Sequence, residues 1–94
     1  GAETRPEIAD LREQAASRLI RERREEAAKR FLMARNAQDI EEKASHLRSS
    51  RRILKGLLER FPEDTLAPKI RNNLETVEKE MERIGLSPRE GDAS

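Results

Sequence analysis

The chain's single histidine stands at helical spacing from a carboxylate: Glu42 and His46 are four residues apart, with Ser45, Ser49 and Ser50 close by in the chain. A histidine activates a serine hydroxyl only when the nucleophile faces it and a third group holds the ring. On a regular helix these serines do not converge on the imidazole, so His46 reads as a flank residue. A di-iron bundle site would use Glu-x-x-His motifs from two helices, and this chain has a single histidine. Glu25 with Glu26 and Glu41 with Glu42 are adjacent rather than facing, which marks them as solvated charge. With no cysteine, thiolate nucleophiles, disulfides and Cys-ligated zinc are excluded. The four glycines, Gly1, Gly56, Gly85 and Gly91, are isolated and build no phosphate loop. The expectation is a chain that is not an enzyme and takes no metal, cofactor or small-molecule substrate.

Cationic chemistry is the next candidate. Between Lys43 and Leu58 stand Lys43, Arg48, Arg51, Arg52 and Lys55 and no acid, although the whole chain balances twenty Lys/Arg against nineteen Asp/Glu. Binding a phosphate backbone needs several cations tracking a groove, and single-strand binding adds aromatic stacking. Two Phe and no Tyr or Trp supply little of that. The segment around Glu75, Glu78, Glu80 and Glu82 is acidic, so pairing within the molecule accounts for the basic run. Binding of nucleic acid or an anionic surface through Lys43, Arg48, Arg52 and Lys55 stands as the alternative reading.

The elements that must position these residues follow from composition and spacing. In 94 residues, 41% are charged and 34% apolar. A chain of this length buries only about 60–65% of its unfolded surface, so the core is small. Ala, Leu, Glu, Arg and Lys dominate, which predicts an all-α fold. A first, long helix over about 5–35 opens with Thr4 and Glu7 at capping-box spacing and carries Ile8, Leu11, Ala15, Leu19, Ala27, Phe31 and Ala34, with Arg23 interrupting the stripe. Asp39 and Glu42 form a second capping box, opening a helix over 40–61 that Pro62 stops; its seam is Ile40, Ala44, Leu47, Arg51, Leu54, Leu58 and Phe61. Without a turn near residues 36–39 the two would fuse into one rod. A third helix over 65–84 has Asp64 or Thr65 as cap and Leu66, Ile70, Leu74, Val77, Met81 and Ile84 on one face. Gly85 then reads as a left-handed C′ residue, with Leu86 folded back on Met81. One helical domain over 1–86 with a flexible tail over 87–94 follows. The longest apolar run, Phe31 to Ala34, is far below the ~20 residues of a membrane span.

Three amphipathic helices with short connections predict an up-down-up bundle with a long first helix. Placing Ala34 beside Ile40 makes partner numbers across the first turn add to about 74, so Phe61 reaches only as far as Arg12 and Glu13. The first turns overhang, and Ile8 and Leu11 become a candidate interface for a protein partner, either a second copy or a larger assembly. The same arithmetic sets Arg23 and Arg51 at one level, facing Glu75 and Glu78 of the third helix. This layer would be either ion pairs at the core edge with Glu22, Glu26, Glu75 or Glu78, or a two-arginine clamp for a carboxylate.

The stretch LKGLLERFPEDTLAPKIRNNL, Leu54 to Leu74, resembles the junction between tetratricopeptide repeats, as found in bacterial envelope lipoproteins. Leu54, Leu57 and Pro62 match the end of a second repeat helix, and Leu66, Ala67, Pro68 and Leu74 the start of the next repeat. AQDIEEKA, Ala37 to Ala44, is similar to the turn inside such a repeat. The resemblance implies a TPR-like helical hairpin, a protein–protein interaction role and a periplasmic or envelope location, with the cytoplasm as the alternative. Gly1 and Ala2 fit either a mature N-terminus or a remnant of tag removal.

Overall fold

The computed structural model describes residues 4–86, with side chains from Asp10 onward. The chain is an all-α helical bundle of three helices, α1 (Thr4–Asn36), α2 (Ile40–Arg60) and α3 (Ala67–Arg83), with no strand among the described residues. The Thr4–Glu7 capping box, the side chain of Ile8 and the segment 87–94 lie outside the described residues.

A break separates α1 from α2, and local chemistry makes it. Asp39 has extended backbone and its carboxylate accepts the Glu42 amide at 3.2 Å, satisfying one of the donors that a helix start leaves without a partner. At the other end of α2 the Phe61 amide donates to the Leu57 carbonyl at 2.8 Å, and Pro62 has no amide with which to continue. Neither Asp64 nor Thr65 caps α3. Leu66 occupies the cap position, while the Asp64 carboxylate accepts the Leu66 amide at 2.9 Å in a turn just ahead of the helix. Pro68 in the first turn gives up a donor that would have been idle there, which lets α3 open without a side-chain cap. Its end follows the expected pattern: Gly85 has φ +87°, and the Leu86 amide returns to the Met81 carbonyl at 2.8 Å.

The core consists of Ile20, Ala27 and Ala34 from α1, Leu47, Leu54 and Leu57 from α2, and Ile70, Val77 and Met81 from α3. In α1 the buried line steps by seven residues through Ile20, Ala27 and Ala34, with Arg24 and Phe31 half-buried along it. The expected stripe is therefore turned: Leu11 and Ala15 are exposed and Leu19 is only half-buried. The helix changes faces because its apolar residues lie on one side before Leu19 and on another after Ile20. Ser50 is buried, and its hydroxyl donates to the Ala27 carbonyl at 2.9 Å, so two small residues let α1 and α2 approach closely.

Ser50 level with Ala27, and His46 with Arg30, put the partner numbers at about 76 or 77 rather than 74. The cause is the turn: Ala37, Gln38 and Asp39 all lie outside the helices, and Ile40 stands 54% exposed at the start of α2 instead of meeting Ala34. The slide also lengthens the overhang, since Phe61 lines a hollow with Leu19 and Arg23 rather than reaching Arg12. From Asp10 to Arg18 only Ala16 is even partly covered. The molecule is accordingly elongated, 57 × 23 × 22 Å.

Gly56 sits inside α2 on an exposed surface, and a methyl group added there would meet nothing within 4 Å. Glycine in a helix interior loses more backbone freedom on folding than alanine does. Gly56→Ala is therefore expected to raise stability by about 0.5–1 kcal/mol, read as a higher midpoint in urea with an unchanged slope.

Candidate interaction site

α2 packs along both neighbours, whereas α1 and α3 touch sparsely. Only α2 therefore buries its stripe against both of the other helices. Across the gap between the outer helices the Arg24 guanidinium donates to the Asn73 side-chain oxygen at 3.4 Å, a long bond. The result is an open groove of about 590 Å³ between α1 and α3, floored by α2 through Ser50 and Leu54. Phe31 and Leu32 of α1 and Val77 of α3 make its walls apolar, and Leu32 is 58% exposed. Arg21, Arg24 and Glu25 line it from α1 as well. The Arg24 Nε is buried without a hydrogen-bond partner, an open demand for an acceptor at this position.

The two arginines chosen from the sequence part company. Arg51 is nearly covered and donates through Nε to Glu78 at 2.9 Å, tying α2 to α3. Arg23 is half exposed and pairs with Glu26 on its own helix at 3.2 Å, level with Ile53 rather than Arg51. Glu75 pairs with Lys79 at 3.1 Å on the outside of α3. The expected ion pairs form, Arg23 with Glu26 and Arg51 with Glu78, but at separate levels rather than in one layer, because the register slides and the buried line passes through Arg24 instead. Arg24 is the groove residue that the sequence reading missed. Its signal was the run Ile20, Arg24, Ala27, Phe31, Ala34 at steps of four and three.

The basic residues of α2 also divide. Arg48 and Arg52 are exposed one turn apart, Lys43 and Lys55 are half-buried, and Lys55 is engaged within the molecule. Lys43 lies where its charge acts on Glu80 of α3. The Arg83 guanidinium, bonded to the Glu80 carboxylate, holds that acid below its ordinary 4.5 against an opposing push from burial. His46 is mostly covered, with Nδ1 at 3.4 Å from Arg30 and Nε2 at 3.7 Å from Glu42, and no serine faces it at hydrogen-bond distance among the described residues. No helix among the described residues is long and apolar enough to cross a membrane.

No family model matches this sequence, and no curated protein or solved structure matches it significantly.

Proposed function

We propose that this chain is a non-catalytic protein–protein interaction or assembly module, an up-down-up, TPR-like three-helix unit that docks through the unsupported first half of α1. One observation carries the reading. The helix runs on from Thr4, and between Asp10 and Arg18 only Ala16 is even partly covered, with Leu11 64% exposed. An isolated helix of about 12–15 residues is marginal in water, since its stability comes mostly from packing one face against something else. A segment of this length thus favours a partner that covers Leu11 and its neighbour one turn earlier, Ile8. The repeat-like junction from Leu54 to Leu74 supports the same reading, because helical repeats bury their faces on adjoining helices.

The test is a photo-cross-linking amino acid placed at Leu11, with Glu59 on the exposed face of α2 as the control position. Discrete protein adducts at position 11 and none at position 59 are expected. Equal yields at both positions, or adducts with nucleic acid alone, overturn the reading. The second of these outcomes would favour binding of nucleic acid or an anionic surface through Lys43, Arg48, Arg52 and Lys55.

A further inference from the structure

We propose that the occupant of the groove between α1 and α3 is the first half of α1 from a second copy of this chain, which deepens the docking role just proposed and rests on it. The groove and the overhang are complementary in charge. Arg21 and Arg24 outnumber Glu25 on the α1 wall, and the Arg24 Nε lacks an acceptor. The overhang offers the exposed Asp10 and Glu13, three residues apart on one face, so it carries two acceptors within one turn.

Lengths agree. Thr4 to Arg18 spans about 22 Å as a helix and the α1 wall from Arg21 to Leu32 about 17 Å. Because one helix bears both the overhang and the wall, two α1 helices laid antiparallel about Ser17 and Arg18 set Glu13 against the partner copy's arginine at position 21. Asp10 then meets the one at position 24. The relation is reciprocal, so the acidic faces of both overhangs are covered at once and the assembly closes as a two-fold dimer. A shallow polar hollow runs from Asp10 through Ser17 to Arg21 and joins the two surfaces along a single face.

Light scattering on the intact chain after size-exclusion chromatography, up to about 1 mM at low salt, should give a dimer mass. Arg24→Glu is expected to weaken the dimer by at least about tenfold, and adding Asp10→Arg to that variant should restore it, since the swap rebuilds the pair with reversed signs. Circular dichroism checks that each variant keeps its helices. A monomer throughout the concentration range overturns the proposal, as does a dimer that Arg24→Glu leaves unchanged or that the swap fails to restore. A monomer that still yields protein adducts at position 11 overturns the second copy as occupant and leaves the docking role standing.

Discussion

Leu47→Ala is expected to lower the stability of the protein by about 2–5 kcal/mol, the range for deleting most of a fully buried leucine. Leu47 has no exposed surface and lies in the middle of α2, the helix that both neighbours pack against. The truncation removes contacts in the core cluster and leaves a cavity that helices held close by Ala27 and Ser50 can collapse only in part. Domains of this size have total stabilities of roughly 5–15 kcal/mol, so the loss is a large fraction of the whole. In urea the midpoint should fall with little change in slope, and the melting temperature should drop by more than about 10 °C. Leu11→Ala is the control. That side chain is already exposed, and its removal should change the stability of the monomer by no more than about 0.5 kcal/mol. Equal effects at the two leucines would mean that α2 is not the shared inner helix.

The sequence was most legible where a local signal decides the backbone. Asp39 before Glu42 and Gly85 before Leu86 act within a few residues; Gly85 operates as its spacing implies, and of the capping box the Asp39 half forms, while the Glu42 carboxylate lies toward His46. α3 was also clear, since Ile70, Val77 and Met81 leave one choice of face. α1 was harder, because two lines compete along it. Leu11, Ala15 and Leu19 form one, while Ile20, Ala27 and Ala34 form another about a third of a turn away. Only the position of α2 decides which is covered, and that position depends on how many residues the turn consumes. The shift of about two or three residues moved Arg23 out of the expected layer and brought Arg24 to the groove. The groove itself depends on how far α1 and α3 splay over α2, a long-range property that the spacing within any one helix does not encode.

Gly85 offers the other large effect, and the contrast with Gly56 isolates its cause. A methyl group added at either glycine meets nothing within 4 Å, so crowding cannot separate the two. Their backbones differ: Gly56 is helical, whereas Gly85 has φ +87°, where side chains of L-residues are strained. Gly85→Ala should cost about 1 kcal/mol, because strain of about 1–2 kcal/mol is partly offset by the reduced freedom of the unfolded chain. For Gly85→Val the branched side chain brings the cost to about 2–3 kcal/mol, while asparagine, which tolerates this region, should be the mildest of the three. If the variant escapes strain by leaving the left-handed turn, the Leu86 amide loses the Met81 carbonyl, and Leu86 lifts from the core that it partly covers. Thermal melts should therefore rank the residues at position 85 as Gly, Asn, Ala, Val, with exchange of the Leu86 amide accelerating in the same order. A valine variant as stable as the parent would mean that α3 does not end in this turn, since no other contact at the site could absorb the strain.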